Sequence, residues 1–77
     1  MIDLYILETC PFCRKVMEFC QENKITFNKH DISNEINSDK LMKLGGKHQV
    51  PFLYDKENNV KMYESDEIID YLKKQYT

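Results

Sequence analysis

Apolar and polar positions along the chain change period several times, and each change marks an element. Residues 2–7, Ile-Asp-Leu-Tyr-Ile-Leu, are apolar and partly alternating, which predicts a strand. Glu8-Thr9-Cys10-Pro11 ends it, and Pro11 suits the first position of a helix, where no amide hydrogen is needed. Phe12, Val16 and Phe19, together with Cys13, Met17 and Cys20, recur at helical spacing, so this helix runs to Glu22 or Asn23. Ile25 to His30 alternates and predicts a second strand. A strand–helix–strand unit this short closes with a right-handed crossover, which makes its two strands parallel.

Asp31 or Ser33 can cap a second helix, with Ile36, Leu41, Met42 and Leu44 on its inner side and Gly45-Gly46 as its stop. Pro51 to Tyr54 and Val60 to Tyr63 flank the polar stretch Asp55 to Asn59 and read as an antiparallel hairpin. Ser65 is a good N-cap for a last helix, Asp66 and Glu67 complement its dipole, and Ile68, Ile69, Leu72 and Tyr76 form its apolar stripe. The order βαβαββα predicts an α/β fold with a mixed four-stranded sheet and flanking helices. No linker, repeat or low-complexity segment interrupts it, so residues 1–77 are expected to form a single domain.

Composition narrows the function classes. A chain of 77 residues has a thin core, and 42% hydrophobic with 31% charged residues suits a soluble globule rather than a disordered segment. A formal net charge of -2 provides no basic footprint, so nucleic acid is not an expected partner. No apolar run approaches the roughly 18 residues a membrane span requires, and Met1-Ile2-Asp3-Leu4 does not begin a signal peptide. The cysteines number 3, and two of them stand as Cys-x-x-Cys. That pattern fits a thiol-maintaining, cytoplasmic setting better than a secreted disulfide scaffold.

The candidate chemistry lies where the first strand hands over to the first helix. Cys10 falls at the helix N-terminus, where unpaired amides and the positive end of the helix dipole gather. As N-cap it can accept hydrogen bonds from the amides of Phe12 and Cys13, and Arg14 and Lys15 add positive charge in the same turn. Surroundings of this kind favour a thiolate, the form that attacks disulfides. Cys13 lies one turn inside the helix, less exposed, and suits the role of resolving thiol. A structural zinc site needs about four ligands. The remaining candidates, Cys20, His30 and His48, match no zinc spacing, so no metal is expected. Cys20 follows Cys13 by about two helical turns and reads as a small apolar core residue.

Three separated stretches, Cys10-Pro11-Phe12-Cys13, Gln49-Val50-Pro51 and Glu64-Ser65-Asp66, give the whole chain a resemblance to the glutaredoxin branch of the thioredoxin-like superfamily. The first is similar to the Cys-Pro-aromatic-Cys of dithiol glutaredoxins. The second is similar to the Val-Pro element whose proline is cis in that superfamily. The third departs from the usual glutaredoxin Gly-Gly-x-Asp. It resembles the Glu-Ser of the N-terminal domain of glutathione S-transferases and of glutaredoxins built on that plan. The resemblance implies a thioredoxin-like fold and glutathione as co-substrate, with no tightly bound cofactor. It also implies Cys10 as nucleophile, Cys13 as resolving thiol, and glutathione contacts from Phe12, Gln49, Val50, Pro51, Glu64 and Ser65.

Elementary chemistry is compatible with those roles and with plainer ones. A cis Val50–Pro51 bond would turn the Val50 amide and carbonyl outward to pair with an extended peptide, whereas Pro51 could simply begin an edge strand. Ser65 could hold a carboxylate at a helix N-terminus or be an ordinary cap. Many glutaredoxins carry a lysine shortly before the cysteine pair, where this chain has Leu7-Glu8-Thr9, so Lys40, Lys43, Lys47, His48 or Gln49 remain candidates for the glycyl carboxylate. The expected partners are glutathione and disulfide-bearing client proteins, with the chain a monomer. The alternatives are a redoxin fed by a thioredoxin-type reductase, for instance serving ribonucleotide reductase, and a carrier of a glutathione-ligated iron–sulfur cluster. A glutathione-binding module without a partner domain is a further alternative, and it has no need of the cysteine pair.

Overall fold

The computed structural model describes all residues from Met1 to Thr77. Its elements are β1 (Ile2–Ile6), α1 (Pro11–Glu22), β2 (Phe27–Asp31), α2 (Glu35–Gly45), β3 (Phe52–Asp55), β4 (Val60–Met62) and α3 (Ser65–Tyr76). The sheet has the order β2-β1-β3-β4. β1 pairs parallel with β2 and antiparallel with β3, and β3 pairs antiparallel with β4. This is the expected mixed, thioredoxin-like arrangement. No helix is long and apolar enough to cross a membrane.

Alternation along β1 explains the layers. Ile2, Leu4 and Ile6 point to one face and pack with Cys13, Val16 and Cys20 of α1 and Ile68 and Leu72 of α3. Tyr5 points to the other face, where it meets Ile32, Leu41 of α2 and Phe52 of β3. The cluster on the α1/α3 side holds 10 buried residues and the other 4, so the α1/α3 side is the larger source of hydrophobic stabilisation. Cys13, in the first turn of α1, is part of this cluster.

Two helix starts differ from the sequence expectation. Asn34, not Asp31 or Ser33, caps α2, its side chain accepting from the Ile36 amide at 2.9 Å. Asp31 is held at the end of β2, and its carboxylate accepts from the Ser33 amide at 2.9 Å, forming a local turn. Glu64, not Ser65, is the N-cap of α3, and Ser65 is the first helical residue and buried. The second strand begins at Phe27 rather than Ile25, because Ile25 drops into the core directly after the helix turn.

The α2 helix also packs on a different face from the one expected. Leu41 is buried and Leu44 half-buried, but Ile36 is 66% exposed and Met42 is exposed. The face meeting the sheet runs through Asn37, Leu41, Leu44 and Gly45, at helical spacing. Asn37 turns inward because its side-chain amide donates to the Asp31 carbonyl at 2.9 Å. The Gly45-Gly46 stop is as expected, with Gly46 at φ 82° and its amide donating to the Met42 carbonyl.

Gly45 has a second role. A methyl group there would lie 2.8 Å from Cζ of Tyr63, closer still to the Tyr63 hydroxyl, and 3.0 Å from Cε1 of Phe52. Helix propensity alone would favour alanine over glycine by about 1 kcal/mol, so glycine stands here for close approach. Gly45→Ala is expected to destabilise the fold by about 1–3 kcal/mol through overpacking. Urea denaturation measures the loss, which should shrink in a Tyr63→Phe background, where the oxygen nearest the new methyl is gone.

Candidate functional site

The site begins at the N-terminus of α1. Cys10 is the N-cap, with φ −83° and ψ 118°, and its sulfur accepts from the Cys13 amide at 3.4 Å. The Phe12 amide, expected as a second donor, makes no such bond, because the extended Cys10 backbone directs its side chain over the third residue of the turn. The Cys10 amide donates to the Leu7 carbonyl and the Arg14 amide to the Cys10 carbonyl, both at 3.1 Å. The cysteine is therefore fixed on both sides by backbone hydrogen bonds. Its side chain is half-exposed, and all three cysteines are free thiols.

The cations near Cys10 have partners of their own. Arg14 Nε donates to the Glu8 carbonyl at 3.3 Å, and Lys15 Nζ forms an ion pair with Asp66 at 2.9 Å. Glu8 is paired with Lys29 at 2.7 Å and so faces β2. What reaches the Cys10 sulfur directly is an amide of the helix start.

Cys13 stands in contrast to Cys10. It is fully buried, and burial pushes its thiol up to about 12, opposed by the Leu7 backbone and helped by the neighbouring Cys10 thiol. Cys20 is buried in the same cluster, and burial pushes its thiol up to about 11. Neither buried thiol ionises readily at neutral pH. Cys20 therefore belongs to the packing of α1 against the sheet, as its place on the helix suggested.

A cleft of about 270 Å³ opens beside this turn. Its lining comprises Phe12, Gln49, Val50, Pro51, Glu64, Ser65 and Asp66. The structure thus brings together Phe12, Gln49, Val50, Pro51, Glu64 and Ser65, the residues that the resemblance assigned to glutathione, and adds Asp66, but none of Lys40, Lys43, Lys47 and His48. Only its place after Glu64-Ser65 hinted at Asp66. Phe12 contributes a 61% exposed ring at the mouth. The Val50–Pro51 bond is cis, and no hydrogen bond within the chain engages the amide or carbonyl of Val50. Opposite, Glu64 has φ 63°, a left-handed conformation that costs a non-glycine residue about 1–3 kcal/mol. Its carboxylate accepts from Gln49 Nε2 at 3.3 Å, which links the two walls of the cleft.

The residues considered for a further carboxylate contact separate clearly. Gln49 lines the cleft. Lys47 lies with Nζ 5.6 Å above the Tyr63 ring, and His48 Nε2 is 2.8 Å from Ser38 Oγ. His30 is stacked on Tyr5 and contacts Asp3 at 2.9 Å, on the β1–β2 pair. Neither histidine lines the cleft.

The profile of the glutathione S-transferase N-terminal domain matches residues 4–77. The chain belongs to that family. Among solved structures it is similar to a delta-class glutathione transferase of Nilaparvata lugens, with 30% identity and a TM-score of 0.80 over 99% of this chain and 36% of that one. A glutathione S-transferase of the Antarctic clam Laternula elliptica shares 29% identity at a TM-score of 0.81, over 97% of this chain and 35% of that one. Human glutathione-S-transferase T1-1 shares 28% identity at a TM-score of 0.82, over 99% of this chain and 32% of that one. The chain thus spans about a third of the length of each of these structures. No curated protein sequence matches it. Family membership agrees with the Glu64-Ser65 element, which had set the chain apart from most glutaredoxins; those belong to the same superfamily. Within the family the chain carries Cys10 and Cys13 at the start of α1.

Proposed function

We propose that the chain is a glutathione-dependent thiol–disulfide oxidoreductase of the dithiol glutaredoxin type. The observation that carries this reading is one arrangement. A half-exposed thiol at a helix N-cap has a buried second thiol one turn away and a cleft lined by Phe12, the cis Val50–Pro51 pair and Glu64-Ser65 alongside. The cleft offers the free Val50 backbone to the cysteinyl part of glutathione, Glu64 to its ammonium, and Ser65 with the first amides of α3 to its γ-glutamyl carboxylate.

The reaction balances without a further cofactor. The Cys10 thiolate attacks one sulfur of a client or glutathione mixed disulfide; a new S–S bond forms at Cys10, and the other sulfur leaves as a thiolate and takes a proton. In the dithiol route Cys13 attacks the Cys10 sulfur as its proton passes to the departing second thiolate, leaving a Cys10–Cys13 disulfide. Two glutathione molecules then reduce it and become glutathione disulfide. In the monothiol route a second glutathione attacks the glutathione sulfur of the mixed disulfide at Cys10, forming glutathione disulfide and releasing the Cys10 thiolate. Either way two electrons pass from glutathione to the substrate.

A second reading follows from the family match over residues 4–77, namely conjugation of glutathione to an electrophile. Conjugation has no use for a buried partner thiol at Cys13, so disulfide exchange leads. The test supplies glutathione with a small mixed disulfide, couples turnover to NADPH through glutathione reductase, and runs an activated aryl halide in parallel. Steady reduction of the disulfide with little conjugation is the expected result. Conjugation without disulfide reduction would replace the first reading with the second.

A further inference from the structure

The two walls of the cleft come from separate segments, the loop before Pro51 and the turn before α3, and one side chain outside the cleft ties them together. Tyr63 is adjacent in sequence to Glu64. Its hydroxyl accepts from the Lys47 amide at 3.1 Å and donates to the Lys47 carbonyl at 2.9 Å, so one phenol engages both backbone groups of one loop residue. The ring is held against Phe52, with centroids 4.7 Å apart, and Gly45 leaves it room by lacking a side chain. Lys47 Nζ lies over the same ring. The loop that carries Gln49 and Val50 is thereby anchored, two positions before it enters the cleft, to a half-buried residue packed against the core.

From this we infer that Tyr63 is the positioning residue of the cleft, fixing the Lys47–Val50 segment so that the Val50 backbone is presented to its ligand. The inference rests on the glutathione reading for the identity of that ligand. The Gln49–Glu64 hydrogen bond also spans the walls, but it uses the carboxylate that glutathione would need, so it weakens when the ligand arrives. The Tyr63–Lys47 pair uses no group of the cleft lining and persists in the bound state. A preformed loop spares the ligand the ordering cost that a loose one would impose.

Tyr63→Phe keeps the ring and its packing and removes only the hydroxyl. The expected results are glutathione binding weakened about fivefold, in line with the loss of exposed hydrogen bonds, and hydrogen exchange at the Lys47 amide faster by a similar factor. The rate of Cys10 alkylation by iodoacetamide should stay within about twofold of native, since no bond of the Cys10 turn is touched. In the coupled assay the change should fall on KM for glutathione and leave kcat unaltered. Binding equal to native, whatever the change in melting temperature, would overturn the inference and leave Tyr63 a packing residue. Slower alkylation would also overturn it, because the residue would then act through the thiol. If the native chain itself fails to bind glutathione, the functional reading falls. Exchange at Lys47 then decides separately whether Tyr63 fixes the loop: unchanged exchange ends the inference, and faster exchange keeps the loop anchor with another ligand.

Discussion

Cys10→Ser is expected to abolish glutathione-dependent reduction of a small mixed disulfide, a loss of about 10³-fold or more, because a hydroxyl cannot replace a thiolate as the attacking group. Cys13→Ser is expected to keep most of that activity, within about tenfold of native, through the monothiol route. The asymmetry follows from geometry. Cys10 is half-exposed and meets the helix start through the Cys13 amide, whereas Cys13 is fully buried with its thiol pushed up to about 12 by burial. A thiol so placed stays protonated at neutral pH and has no access to an external disulfide. It becomes effective only when a mixed disulfide forms at the neighbouring Cys10. Reduction of a protein disulfide by the dithiol route should therefore suffer in Cys13→Ser far more than reduction of a glutathione mixed disulfide. Steady-state rates of the three proteins on both substrates measure this. Equal losses for the two variants would remove the distinction between attacking and resolving thiols.

The second large effect lies away from the site, at the end of β3. Asp55 is fully buried, and its Oδ2 accepts from Tyr71 at 2.5 Å, Tyr76 at 2.6 Å and Asn58 at 2.9 Å. The hairpin turn and the C-terminal turns of α3 thus meet on one carboxylate. Asp55→Ala is expected to cost about 3 kcal/mol, since it opens a gap and strands two phenols that had a charged acceptor. Burial by itself would push the Asp55 carboxyl up, but the hydrogen bonds from Tyr71, Tyr76 and Asn58 overcome it and hold the group down to about 2, from an ordinary 3.8.

The sign of the pH effect follows from that direction. A depressed carboxyl stabilises the fold above pH 3.8, and the contribution, about 2 kcal/mol, is lost as the pH falls through 2. On the alkaline side burial and Asp55 push Tyr71 up to about 12 from 10.0, and the hydrogen bond to Asp55 raises Tyr76 as well. Raised groups stabilise below pH 10.0 and lose their effect as the pH rises through 12. The stability difference between native protein and Asp55→Ala should accordingly be flat from about pH 4 to 10 and narrow on both sides. Urea denaturation over a pH series measures it. A difference that grew toward acid would contradict the assigned charge state.

Much of the fold could be read from local pattern because its determinants are local. Alternation in residues 2–6, the helical recurrence of Cys13, Val16 and Cys20, and the Gly45-Gly46 stop each act within a few residues, and the observed elements follow them. The placing of Cys10 at a helix N-cap is of the same kind, since Pro11 starts the helix and the preceding residue must cap it. Local pattern is enough to set the order βαβαββα and to place Cys10 and Cys13 at the start of α1.

Features built from distant residues were not legible in this way. Ile36 and Met42 looked inward by spacing, yet the face of α2 was chosen by Asn37 bonding to Asp31 and by the close approach of Gly45 to Tyr63. Ser65 reads as the cap, but Glu64 takes that place at φ 63°, directly after Tyr63, whose hydroxyl is bonded to Lys47 across the fold. Asp55 meets Tyr71 and Tyr76 only after α3 has packed back on the sheet. Likewise, Gln49, Val50 and Pro51 come to face Glu64 and Ser65 through the pairing of β3 with β4 and the return of the chain into α3. Local periodicity specifies an element and its exposed side on average. Which side chain fills a gap between two elements depends on shape and hydrogen-bond partners, and these exist only once the elements are in contact.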